Sequence, residues 1–390
     1  MEKPFIPKSE FFERQKKVQD EMDKNGIDLL ITYSNDGAVF GQEHSRWLFN
    51  YQPHFEPVIS LLPLKSELIV LSGVESEELI KASASCENIE VVDVFASPDH
   101  EFPSAEIKKF EKLLDEISEG SKIETIGIVG LNYMPVETHQ KIADYFKNKK
   151  IINAEFIMTN LRAIKSQNEI KVIEYAFYIA EKGFEAAVNS INEGVSEREV
   201  AAEIEYRMRR LGSEGMGIDT MVAAGENTAS ALTRATFNKI KKNDLIMLTI
   251  APRYEGYHGA VARPIIIGNV DSEVRNAIKT AISAQEAARS CLLPGNEGFK
   301  VDNAAFNVVK NNGLKDSYIY SATHSIGVSE FESPILSSNY KGLIKENMTF
   351  AIDIPIFNNS WGGFRYENGY HITKDGPRPL LTLNDEIIQL

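Results

Sequence analysis

Cysteine is almost absent from this chain, with only Cys86 and Cys291 in 390 residues. So placed, they form neither a CxxC redox pair nor a zinc ligand set, and they read as buried thiols of a reducing compartment. Long apolar runs are missing too. No window approaches the roughly 18 apolar residues of a membrane span. The opening MEKPFIPKSEFFERQKK carries charge where a secretion signal would carry an apolar core. Positive charge is in deficit, 42 Lys+Arg against 56 Asp+Glu, for a net charge of −14. That balance argues against nucleic acid or an anionic membrane as partner, since both need a basic face. These absences together predict a cytoplasmic protein.

What is present is the balance of a globular chain, 43% hydrophobic and 25% charged. Residues 10–25 read as an amphipathic helix stopped by Gly26. The runs IDLLITY, VISLLPL, ELIVLSG and TIGIVGL read as strands, with EIKKFEKLLDEI as a helix among them. Strands alternating with helices predict an α/β layer. A long helix over 162–191 follows, then a second whose Ser196 and Glu199 form a capping box. Three strand-rich blocks come next, 217–225, 244–268 and 347–374, the last two separated by a helix over 271–292. The helix-then-hairpin order occurs twice, as in a duplicated α+β domain. The expected division is residues 1–158 and 159–390.

Two hairpins carry the chemistry. In IAPRYEGYHGAVARP a two-residue turn at Tyr254-Glu255 would set Thr249 opposite Ala260 and Ala251 opposite His258. Side chains alternate along strands, so all four share one face. That face holds two alanines, a threonine and a histidine. In the second hairpin, MTFAIDIPIF and GFRYENGYHIT pair about Ser360 and set Asp353 opposite Glu367. Directly opposed carboxylates repel. If buried they need a proton, a metal or a cation such as Arg365. A third segment, THSIGVSEFESP, holds His324 in a turn-like stretch before Gly327. His44, His54, His100 and His139 taken singly read as structural.

Residues 160–376 resemble the creatinase, prolidase and aminopeptidase P superfamily. The resemblance rests on LRAIKSQNEIKVIEYA, on NDLIMLTIAPRYEGYHGAVARPIIIG, on HSIG and on the closing strands MTFAIDIPIF and GGFRYENGYHITKDGP. It implies an α+β pita-bread catalytic domain, creatinase/aminopeptidase-like, behind a smaller N-terminal α/β domain, to which SRWLFNY belongs. Peptidases of the superfamily hold two metals with two aspartates, a histidine and two glutamates. The matching positions here are Thr249, Ala260, His324, Asp353 and Glu367. Two further histidine positions fall at Leu232 or Thr233 and at Phe331, and creatinase's glutamate falls at Ala262.

The lost aspartates lead to the first expectation: a metal-independent, creatinase-like hydrolase of a C–N bond in a small guanidino, amidino or amide substrate, with no cofactor. His258, His324, Asp353 and Glu367 would be catalytic. Arg263, Arg365, Phe331 and Glu332 would bind substrate. His54 and Phe55, in NYQPHFEP, would reach a shared active site across a homodimer, as the resemblance implies. One alternative is an Xaa-Pro dipeptidase or aminopeptidase P-like peptidase holding one Mn, Fe or Zn on His324, Asp353 and Glu367. Another is a non-catalytic pita-bread binding module.

Overall fold

A computed structural model describes residues 3–95, 104–120 and 122–390; His100 lies outside the described residues. The chain forms two compact bodies, Ile6–Arg162 and Met1–Phe5 with Ala163–Leu390. No helix among the described residues is long and apolar enough to cross a membrane.

The smaller body is built on a six-stranded sheet. Its order is Asn88–Val91, Ile69–Ser72, Val58–Pro63, Leu29–Ser34, Thr125–Val129 and Lys150–Asn153. LLITYS and VISLLP are buried at every position, as the continuous apolar runs require. Leu29, Ile31 and Ile128 pack there against Phe110, Leu113 and Ile142 from helices. The first helix, Lys8–Lys24, stops before Gly26, whose φ of +63° suits a residue without a side chain.

The larger body is built on a nine-stranded sheet. Its path runs Glu332–Ile335, Thr323–Ser325, Thr349–Asn359, Gly362–Thr373, Val261–Ile266, Leu245–Ile250 and Met221–Ala224. On one face Phe350, Ile352, Ile354, Phe364 and Tyr366 pack on helices Ser272–Cys291 and Phe299–Asn311. Helix Gln167–Ser190 lies against the other face. It comes so close that a Cβ on Gly259 would sit 2.5 Å from the Ala176 carbonyl carbon, and one on Gly369 would sit 2.1 Å from the Phe177 ring. The two glycines admit this helix.

Three local expectations change. The helix expected over 162–191 is two, Glu155–Ala163 and Gln167–Ser190, because Ser166 caps the second with Glu169 in a reciprocal box. Two helices rather than one separate the strand blocks, since Phe299–Asn311 follows Ser272–Cys291. The first hairpin turns at Glu255-Gly256, both at positive φ (48° and 80°), which is the pairing that tight hairpins favour. Thr249 therefore faces Ala262, and His258 faces Arg253. The slip is by two residues, so no side chain changes face.

Candidate functional site

The sheet register brings the site together. Asp353 stands opposite Glu367, as pairing about Ser360 predicts. Glu367 in turn pairs with Ala262, which pairs with Thr249. One transverse row thus reads Asp353, Glu367, Ala262, Thr249, with acids on two neighbouring strands and none on the next two. His324 lies in strand Thr323–Ser325, not in a turn, and pairs with Ala351. Ala351 is two residues from Asp353, so His324 faces the same side.

His324, Glu330 and Glu367 each bring one ligand atom into a set whose members lie within 4.8 Å of one another. The His324 Nδ1–H donates to the Ser325 carbonyl at 3.0 Å. That hydrogen bond fixes the tautomer and leaves Nε2 as the coordinating nitrogen. Glu367 is 2% exposed, and its buried Oε1 has no hydrogen-bond partner. Burial, then Asp353 and Glu330, push the Glu367 carboxyl well above the usual carboxylate range, against the pull of Arg365 and Arg263. Burial also raises Glu330, opposed by His324 and reinforced by Asp353.

Asp353 is held otherwise. Tyr320 Oη donates to its Oδ2 at 2.7 Å, and Arg365 Nη1 lies 3.6 Å from the same oxygen. Arg365 also donates from Nη2 to the Ala231 carbonyl at 2.6 Å, with its Cζ 5.8 Å from the Tyr320 ring centre. Burial works against the Arg365 charge, but Asp353, Tyr320 and Glu367 hold it, above its ordinary value.

Other expected residues have different employment. Arg263, expected to bind a substrate carboxylate, is fully buried. It donates to the carbonyls of Ala262 and Glu367 and to Asn368 Oδ1, and stacks 4.2 Å from the Tyr366 ring centre. Those bonds occupy the guanidinium within the sheet. Glu332, expected to touch substrate, pairs with Lys165 at 2.8 Å, the two side chains being 2% and 1% exposed. Phe331 leans on His324, ring centres 4.6 Å apart. The His258 Nδ1–H donates to the Gly327 carbonyl at 3.1 Å, so Nε2 carries the ring's lone pair. A Cβ on Gly217 would fall 2.3 Å from His258 Cδ2 and 3.2 Å from Glu330 Cβ, so both side chains border one point. His54 and Phe55 belong to the smaller body, where His54 bridges to Glu56 and Phe55 is exposed at φ +68°.

Glu197, fully buried, fixes the segment that carries Ala231. It accepts from the amides of Ala224 and Thr236, from Thr236 Oγ1, and from the side chains of Asn227 and Asn238. Burial works to raise its carboxyl, and these hydrogen bonds overcome that and hold it below the ordinary value.

Sequence reasoning missed Glu330 and Tyr320. The available signal was compensation: Glu330 adjoins Phe331, where the resemblance implies a histidine.

A five-ligand dinuclear set does not fit, because Thr249 and Ala260 offer no carboxylate. A single cation does fit. When ionised, Glu330, Asp353 and Glu367 outweigh Arg365 by two negative charges, and Glu367 Oε1 and Asp353 Oδ1 both lack a partner.

The family model "Metallopeptidase family M24" matches residues 171–374, and "Creatinase/Prolidase N-terminal domain" matches residues 14–164. The chain is 31% identical over 294 residues to the Xaa-Pro dipeptidase of Pyrococcus furiosus, covering 75% of this chain and 83% of that one. It is 29% identical over 377 residues to the Xaa-Pro dipeptidase of Pyrococcus horikoshii, covering 96% and 99%. The crystal structure of the prolidase from Pyrococcus horikoshii OT3 superposes with a TM-score of 0.83 at 25% identity, covering 96% of this chain and 100% of that one. These likenesses overturn two expectations. The metal-independent, creatinase-like hydrolase gives way to the peptidase alternative. The absence of a cofactor gives way to a divalent metal, which the family uses and for which this site has ligands. The lost aspartates weighed too heavily: a carboxylate outside the expected positions, Glu330, stands near His324 and Glu367. With the pita-bread architecture of its prolidase neighbours and both family models matched along its length, the chain belongs to metallopeptidase family M24.

Proposed function

We propose that the protein is a peptidase of the Xaa-Pro dipeptidase type that works with a single divalent cation. The observation that carries this reading is the convergence of the buried His324 and Glu367 with a further, half-buried carboxylate, in a site with an excess of acidic groups. A divalent cation there would supply Lewis-acid polarisation of a carbonyl oxygen and would acidify water. The chain's own residues account for the rest. Glu367 and His324 Nε2 would hold the cation. Arg365, anchored by Asp353 and the Ala231 carbonyl, brings fixed positive charge beside the carboxylates. His258, its tautomer set by Gly327, exchanges a proton at Nε2. Ala260, Ala262 and Phe331 give the site apolar walls, which strengthen each of these charges.

The test is hydrolysis of a panel of Xaa-Pro dipeptides, with guanidino and ureido acids as controls. Protein stripped by chelation is compared with the same protein reloaded with Mn²⁺. The expected result is dipeptide cleavage that disappears on stripping and returns on reloading. Turnover of a guanidino acid by stripped protein, or no cleavage of any dipeptide after reloading, would overturn the reading. Glu367→Gln should abolish cleavage without lowering the melting temperature of the stripped protein, since it removes one of the crowded acids.

A further inference from the structure

We infer that Glu330, not Asp353, completes the metal site, and that Asp353 has passed from ligand to anchor of Arg365. The inference deepens the peptidase reading, and rests on it only for the presence of a cation. Alignment by resemblance puts the third ligand at Asp353, and the geometry does not. Asp353 is absent from the set of ligand atoms within 4.8 Å, and Glu330 is in it. Two ligands on one ion at about 2.1 Å each stand at most about 4.2 Å apart. Closing the set therefore takes a side-chain shift of about half an ångström, within the reach of a glutamate.

Asp353 has a reason to stay out. Its side chain is one methylene shorter than glutamate. Its Oδ2 takes the Tyr320 hydroxyl at 2.7 Å and lies 3.6 Å from Arg365 Nη1. Its Oδ1 is buried without a hydrogen-bond partner, but it lies outside the 4.8 Å set, and drawing either oxygen onto an ion would take counter-charge from a buried guanidinium. Glu330 has a reason to come in. Phe331 leans on the His324 ring, and Glu332 is drawn to Lys165. The bare Gly217 backbone leaves room at Glu330 Cβ. Charge agrees. With Arg365 neutralising Asp353, Glu330 and Glu367 together carry the two negative charges that balance one dication.

The set of one imidazole and two carboxylates suits Mn²⁺, Co²⁺ or Zn²⁺. The experiment is calorimetric titration of the full-length stripped protein with Mn²⁺, together with the visible spectrum of the Co²⁺ form. Wild type, Glu330→Gln, Glu330→Ala and Asp353→Asn are compared, and circular dichroism and thermal melting without metal check that each folds. We expect one ion per chain in wild type. Both Glu330 variants should bind about 100-fold or more weakly, beyond the usual loss of an outer-shell partner. They should also lose or shift the Co²⁺ bands. Asp353, which makes no hydrogen bond to a ligand atom, should cost less than about 10-fold as asparagine. Near-normal binding in Glu330→Gln with loss in Asp353→Asn would overturn the inference while leaving the peptidase reading in place. Two ions per chain would also overturn it. No binding in wild type would defeat both. The expected ligand pattern without Xaa-Pro cleavage would uphold the site and end the peptidase reading.

Discussion

Replacing Lys165 with methionine should destabilise the larger body by about 3–5 kcal/mol, the cost of leaving one partner of a buried ion pair uncompensated. Lys165 Nζ lies 2.8 Å from Glu332 and donates to Ser325 Oγ at 3.1 Å. The upper part of that range applies, because the surroundings leave little space for water to replace the ammonium. A Cβ on Gly327 would stand 2.4 Å from Glu332 Oε1 and 3.0 Å from Lys165 Cε. For a body of this size each kcal/mol moves the midpoint by about 2–4 °C, so a loss of about 4–5 kcal/mol lowers it by about 8–20 °C. Scanning fluorimetry and urea titration would measure it. The double variant Lys165→Met, Glu332→Met should recover most of the loss, since a well-packed apolar pair often replaces a buried ion pair at little cost. A Lys165→Met protein within about 1 kcal/mol of wild type, or a double variant no better than the single one, would refute this account.

Gly217→Ala should cut turnover by about 100-fold, because even a displacement of about 1 Å at a reacting group is that costly. Dipeptide kinetics alongside melting curves would separate this from unfolding, and unchanged kcat would show that His258 and Glu330 tolerate the added methyl. The smaller body should lose stability as pH falls below about 6.5. Burial, and Arg162 beside it, hold the His44 imidazole below its ordinary value against the pull of Glu43 and Glu155. The unfolded chain therefore takes up a proton that the folded one refuses until its lower folded pKa is reached. His44→Gln should flatten the melting temperature between pH 6.5 and 5 on this argument, and superimposable wild-type and variant curves would remove His44 from it. We also expect a homodimer by light scattering, with Phe55, 77% exposed on a left-handed backbone, at its interface. A monomer at micromolar concentration, or a Phe55→Ser variant that stays dimeric, would count against this.

Much of the fold was legible because the strands are plain apolar runs and the helix starts carry capping boxes. The Asp353–Glu367 pairing followed from strand parity alone. The break at Ser166 was missed because helical periodicity continues across it, although the capping sequence was there to be read. The first hairpin's turn was placed one residue early, since parity fixes the face but not the register. The site was harder. His324 and Glu367 lie in strands, where position follows from pairing. Glu330 lies in a bend outside any strand, and no periodicity says which way such a side chain points. Arg263 and Glu332 look like functional residues in sequence, because a charged side chain beside a site motif reads as substrate-facing until its partner is known. Their partners, an Asn368 side chain and Lys165, are 105 and 167 residues away.

The five donors gathered by Glu197 make residues 224–238 stiffer than a stretch with little regular secondary structure suggests. Its amides at Ala224 and Thr236 should exchange with solvent at rates closer to those of a central strand than of a loop. The same carboxylate sits in the first turn of helix Glu197–Arg210, and the segment carries midway, at Ala231, the carbonyl that receives Arg365. Helix, segment and guanidinium therefore form one mechanical linkage. A disturbance at the start of that helix would be felt at Arg365 as a displacement rather than absorbed on the way.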